Sequence, residues 1–198
     1  SVRWRGVVTG MFAIFMLTLG VYGYVGILKP AYAAPPIFDH VEQVDIQNQT
    51  DITYTDQAKL LGYNLEPNAA VPDKIVNVTL FWEVVGGFSE NHALFVQLLH
   101  QDGERVSGRD THAGLGRFPT GAWKPGQIIA DTIPIPIPKT ASGPTGLLLS
   151  AGLWDEGDLL KTSSETGTNI LGIVRLAGSE EIPVGPALYQ LGEQVALV

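Results

Sequence analysis

The sequence contains no cysteine. Disulfides, thiolate metal sites, cysteine nucleophiles, a lipidated cysteine anchor and CxxCH haem attachment are therefore excluded. Methionine is almost as scarce, and both copies, Met11 and Met16, lie near the N-terminus. No Asp or Glu occurs among the first thirty residues, so the polar surface of an ordinary globular domain is missing from that end. Motifs of catalysis are missing too. There is no phosphate-binding P-loop and no GxSxG nucleophile elbow, and Gly114-Leu115-Gly116 lacks the third glycine of a dinucleotide fingerprint. Carboxylates are plentiful, but spacing marks no two of them as a general acid and base. The expectation is a protein that is not an enzyme.

What the N-terminus does have is Val7 to Leu28, VVTGMFAIFMLTLGVYGYVGIL, a run without a charge. As a helix rising about 1.5 Å per residue it is about as long as the hydrocarbon core of a bilayer is thick. Arg3 and Arg5 precede it and Lys29 follows alone, so the charge bias places residues 1–6 in the cytoplasm and the rest of the chain on the far side of a cell inner membrane. Trp4 at one end and Tyr22, Tyr24 and Tyr32 toward the other stand where amphipathic rings favour the headgroups. The rival reading is a cleaved signal peptide, because Ala31-Tyr32-Ala33 resembles a small-x-small cleavage site. The apolar run is longer than a signal peptide's, which favours retention. A chain starting at Ser1 also fits a short protein that has lost only its initiator methionine.

Gly6, Gly10, Ala13 and Gly20 fall on one face of that helix. Small residues let a second helix approach closely, which favours association where lipid removes any hydrophobic drive. The competing explanation is that glycine is common in membrane helices generally. Beyond residue 30, nine basic residues stand against twenty acids, a net charge near −11. Such a surface disfavours nucleic acid and anionic lipid as partners and promotes solubility.

Residues 29–57 begin with the proline-rich KPAYAAPP, a stiff stalk, and continue as a polar stretch that reads either as an edge strand or as an extended arm. From residue 58 the pattern is that of strands. Residues 58–65 form the first core strand, and residues 74–84 give the clearest alternation, with Val76, Val78, Leu80, Trp82 and Val84 on one face. Residues 92–100 and 105–109 flank Asp102-Gly103, which predicts a hairpin with a two-residue type I′ turn. Residues 114–126 form a loop, and residues 128–137 a strand whose alternating prolines confine that half to an edge or a polyproline-like conformation. Residues 146–154 form a buried strand, 155–158 a turn and 169–176 the last strand.

Closely spaced strands with Gly and Pro between them predict a mainly β protein: one N-terminal transmembrane helix, then an antiparallel immunoglobulin-like β-sandwich of about seven strands over residues 58–177. The apolar C-terminal tail, residues 178–198, either covers the sandwich or docks on another chain. Trp123, in a Pro/Gly loop, and Leu188 and Tyr189, in the tail, are the candidate contacts for a partner or a glycan. Trp82 is expected in the core. The four histidines suggest no metal site: His92 and His100 are too far apart on one strand, and only His100 and His112 could approach across the hairpin. Asp155, Glu156 and Asp158 lack EF-hand spacing and serve equally as a turn. No metal and no cofactor is expected.

The segments LLGYNLEP (60–67), VNVTLFWEV (76–84), LFVQLLHQDGERV (94–106), RFPTGAWKPGQIIAD (117–131) and GLLLSAGLWDEGD (146–158) resemble the extracytoplasmic β-sandwich that follows the last membrane helix in bacterial multi-pass proteins related to glycosyltransferases. The resemblance spans residues 58–176 and implies a sandwich. It supplies no catalytic motif, and with one span in this chain a transferase activity housed in many spans is not implied. The expected role is a non-catalytic, single-span accessory subunit that docks on other membrane protein subunits in the bilayer. Its most specific form is a subunit of a respiratory or photosynthetic electron-transfer complex such as alternative complex III. The alternative is a membrane-anchored glycan-binding module of the cell surface.

Overall fold

The computed structural model describes residues 2–29, 32–155, 158–163, 169–178, 189–191 and 195–197. The chain divides into two compact units, one up to Ala34 and one from Pro35 onward. In the first, helix α1 (Val2–Gly23) runs on into a π-helical turn, Tyr24–Leu28. The segment Val7–Leu28 is long and apolar enough to cross a membrane, and none of its apolar window is buried. Its Thr18 hydroxyl is satisfied within the helix, by the carbonyls of Ile14 at 3.0 Å and Phe15 at 2.8 Å. A hydroxyl bonded in this way costs little in lipid.

The second unit is a sandwich of two antiparallel sheets. One has the order β1 (Ile37–Phe38), β7 (Ile128–Pro136), β4 (Ile75–Val84), β3 (Ala58–Glu66), β2 (Asn48–Tyr54). The other has the order β10 (Ile170–Leu176), β8 (Thr145–Asp155), β5 (Ala93–Leu99), β6 (Arg105–His112), with the short β9 (Asp158–Leu159) on β8. The polar stretch ahead of residue 58 thus contributes β2, the edge strand of the first sheet. Two short strands of the tail, β11 (Tyr189–Leu191) and β12 (Val195–Leu197), pair with each other. The tail residues Ile182, Val184 and Leu188 lie outside the described residues, as do Pro30, Ala31 and Glu156.

Alternation decides which side of each strand is inside. Val76, Val78, Leu80, Trp82 and Val84 of β4 are buried, as are Leu94, Val96 and Leu98 of β5 and Leu147, Leu149, Ala151 and Leu153 of β8. The outer face carries polar pairs such as Thr79 and Thr132, whose hydroxyl oxygens are 2.9 Å apart. Pro134 and Pro136 pair with Asn77 and Ile75 of β4, whereas β1 covers β7 only at Ile128 and Ile129. Both prolines share the parity of Ala130, whose N–H points to the β1 side to reach Pro36. Their missing N–H groups therefore face the open edge, where no ladder bond is lost.

The hairpin β5–β6 forms as expected, but its turn is not the two-residue one. The His100 N–H donates to Glu104 at 2.8 Å and the Gly103 N–H to His100 at 3.0 Å, so three residues form the loop and Gly103 alone, at φ 89°, is left-handed. Asp102 accepts from the Glu104 N–H at 3.0 Å. With aspartate bonded to its own backbone, one glycine suffices for a type I turn followed by a left-handed residue.

Two close contacts fix the packing, one between the sheets and one within the first. The buried Tyr54 hydroxyl of β2 donates to the Ala151 carbonyl of β8 at 3.0 Å, with Asn169 Oδ1 at 3.3 Å. Burial pushes its phenol well above the usual range. Tyr54→Phe should destabilise the sandwich by about 1–2 kcal/mol, the cost of leaving buried acceptors unpaired, measured by urea unfolding. At the bulge of β3, a Cβ on Gly62 would fall on the Asn48 carbonyl oxygen and the Ile46 side chain, and 3.1 Å from Gln49 Cα. Because two of these atoms are backbone, Gly62→Ala should cost about 2 kcal/mol in the same measurement.

Candidate functional site

Four places on the chain bear on function: the helix face, the loop holding Trp123, a polar cleft beside His92, and a buried carboxylate at Asp131.

On α1, Gly6, Gly10, Ala13 and Gly20 fall within an arc of about 80° at 3.6 residues per turn. Nothing lies within 4 Å of where a Cβ would stand on Gly10 or Gly20, and Ala13 is exposed. Farther along, the Tyr22 ring lies over Gly26, 3.7 Å from its Cβ position.

Trp123 is not a surface ring. It is 4% exposed, and its ring centroid lies 6.0 Å from that of Trp82 and 5.7 Å from that of Phe88. Its indole N–H donates to the Phe118 carbonyl at 3.2 Å, and its backbone N–H to Thr120 at 3.0 Å. The short helical turn Thr120–Ala122 folds the Pro/Gly loop inward, so the ring closes one end of the core and offers no stacking platform. Trp82 is in the core, as expected. Among the described side chains of the sandwich no Phe, Tyr or Trp ring is exposed. Tyr189 is placed by its backbone in β11, and Leu188 lies outside the described residues.

His100 and His112, which could approach only if the second hairpin strand runs long, do not meet. Strand β6 runs long, to His112, but its end lies opposite Ala93, so His112 meets His92 and not His100. His112 Nδ1 is 3.2 Å from the His92 carbonyl oxygen. His92 packs edge-on against Phe88, with ring centroids 5.0 Å apart, and helps line a cleft of 360 Å³ with Thr55, Gln57, Ser89, Glu90 and Leu160. The Thr120 hydroxyl braces this rim, accepting from the His92 N–H at 2.8 Å and donating to the Glu90 carbonyl at 3.1 Å. Among the described residues no three His, Asp or Glu side chains gather as a metal site. Asp155 and Asp158 are paired across β8 and β9.

Sequence reasoning passes over Asp131. It occupies an inward position of β7, in the row Ile129, Asp131, Ile133, Ile135, opposite Leu80 of β4, and is 1% exposed. The signal in the sequence is a carboxylate interrupting an alternating isoleucine row. Its Oδ2 accepts the Gly114 N–H at 3.0 Å. Burial pushes its carboxyl up to about 6, against the lowering effects of that bond and of the Arg117 charge.

No protein-family model matches the chain, and no curated protein sequence matches it. Among solved structures the chain is similar to the C-terminal domain of Wzt, at a TM-score of 0.49 and 12% identity, over 65% of this chain and 78% of that one. A beta-glucuronidase from glycoside hydrolase family 2 matches at a TM-score of 0.35 and 17% identity, over 55% of this chain and 10% of that one.

Proposed function

We propose that the chain is a non-catalytic, membrane-anchored accessory subunit. One helix packs among the helices of a larger membrane complex, and the sandwich stands on the extracytoplasmic side. The observation that carries this reading is the charge-free segment Val7–Leu28, unburied along its apolar window. The small residues Gly6, Gly10, Ala13 and Gly20 on one side of α1 are suited to close helix contact. The resemblance of residues 58–176 to sandwiches that follow the last helix of glycosyltransferase-related membrane proteins fits the same arrangement, a sandwich carried by a helix with helical neighbours. A respiratory or photosynthetic electron-transfer complex is the most specific form of the proposal.

The absence of cysteine makes the topology directly testable. Asp102→Cys at the hairpin tip should react with an impermeant maleimide added to intact cells, whereas Ser1→Cys should react only after permeabilisation. The opposite labelling, or a mature protein free in the soluble fraction, would overturn the anchored orientation. For docking, Gly10→Leu with Gly20→Leu should abolish co-migration with large membrane subunits in mild detergent. Unchanged co-migration removes the helix face from the interface. Binding of the isolated full chain to a glycan array would favour the glycan-binding module instead.

A further inference from the structure

Asp131 lies beneath a turn with an unusual backbone. Over Ala113–Gly116, Gly114 (φ 64°, ψ 26°) and Leu115 (φ 54°, ψ 42°) are both left-handed, and Gly116 has φ 83°. Leucine rarely adopts this conformation, which costs about 1–2 kcal/mol, so the turn persists only while its surroundings hold it. Within it the Arg117 N–H donates to Gly114 at 3.1 Å, the Phe118 N–H to Ala113 at 3.2 Å, and Arg117 Nε to the Gly114 carbonyl at 2.8 Å. The contact that fastens it to the sheet is the Gly114 N–H on Asp131. Successive N–H groups in such a turn form a concavity that suits an acceptor oxygen, and the oxygen in this case is on the chain's own side chain.

The segment entering the sandwich closes over the same place. The Pro35 ring stands 3.0 Å from the Cβ position of Gly114, and Pro36 accepts the Ala130 N–H at 3.0 Å, next to Asp131. We infer that the turn of residues 113–118 and the junction at Pro35 and Pro36 form a proton-controlled latch, closed while Asp131 carries a proton and released when it ionises.

Two arrangements differ in what surrounds the carboxyl. Closed, it is shut away from water among isoleucines; opened, it is hydrated and titrates as an ordinary aspartate. Since burial raises its affinity for the proton, linkage requires that the proton favour the closed arrangement. Arg117, in the turn itself, is the charged group that acts on it. Strand β4 contributes Leu80 opposite, β5 faces inward with Leu94, Val96 and Leu98, and the entering residues 35–38 carry no titratable group. Strand β6 presents Arg109 on its inward face, opposite Val96, while its Asp110 and His112, opposite Phe95 and Ala93, lie on the other face, where Asp110 pairs with Arg105 at 3.1 Å.

Amide hydrogen exchange of the full chain in detergent, corrected for intrinsic exchange at each pH, tests this. Protection of the Gly114 and Ala130 amides should fall as pH rises from 4 to 8, toward a limit of about 100-fold set by the difference between buried and hydrated carboxyl. Val78 and Val96, deep in the two sheets, should lose less, and Asp131→Asn should remove the dependence at Gly114 and Ala130. Protection that is constant with pH, or that falls equally at all four amides, would overturn the latch. A direct check independent of the variant is the Asp131 carboxyl carbon resonance of the wild type. A midpoint near 6 supports the shielded carboxyl on which the latch depends, and one near 4 overturns the latch.

Discussion

Truncating Trp82 to alanine should destabilise the sandwich by about 4 kcal/mol, the largest loss expected from any single side chain of its core. The ring is fully buried on β4, between Leu60 of β3 and Ile129 of β7, and it touches Tyr54 and Trp123, with centroids at 5.2 and 6.0 Å. Its removal leaves a cavity under both rings, and the flanking strands are fixed by ladder bonds and unable to collapse into it. Trp82→Phe separates ring packing from hydrogen bonding. Among the described residues the buried indole N–H has no acceptor, a burden of about 1–3 kcal/mol that phenylalanine removes, so this variant should lose less than half as much. Urea unfolding of the full chain in detergent, followed by far-UV circular dichroism, measures both. Equal losses for the two variants would mean that indole size, and not the unpaired N–H, governs the site.

The internal position of Trp82 is legible because Val76, Val78, Leu80 and Val84 share its parity and Asn77, Thr79 and Glu83 mark the other face, although Phe81 on that face is buried as well. The same reasoning locates β3, β5, β8 and β10 to within a residue or two, and the edge position of the Pro134 and Pro136 half of β7. It fails at Trp123 for a physical reason. No periodicity operates in a loop, and the direction of that ring is set by contacts with Trp82 and Phe88 from segments distant in sequence. The hairpin shows the intermediate case: Asp-Gly predicts a reversal, but the loop length depends on the register between β5 and β6. Asp131 is readable in principle, since an inward position in an alternating strand is fixed by parity alone. Its cover is not readable, because the left-handed run at Gly114 and Leu115 and its contact with Pro35 join segments about 80 residues apart in sequence.

That buried carboxylate makes stability depend on pH in the direction opposite to the usual salt-bridged aspartate. Its ordinary value is 3.8 and its folded value about 6, so between these the folded chain binds more protons than the unfolded chain. Stability contributed by this group is present in full below pH 4 and is lost as pH rises through 6. At 1.36 kcal/mol per unit, the whole loss is about 3 kcal/mol, of which about 2 falls between pH 4.5 and 7.5. Asp131→Asn keeps an oxygen for the Gly114 N–H and carries no charge, so its stability should lack this component. The expected result is that the difference in unfolding free energy between variant and wild type shifts in the variant's favour by about 2 kcal/mol from pH 4.5 to 7.5. The comparison is made at each pH, so other titrating groups cancel, as does any fixed cost of burying the amide. A difference independent of pH would show that Asp131 ionises freely in the folded chain, and would leave Gly114 bonded to a carboxylate that water already reaches.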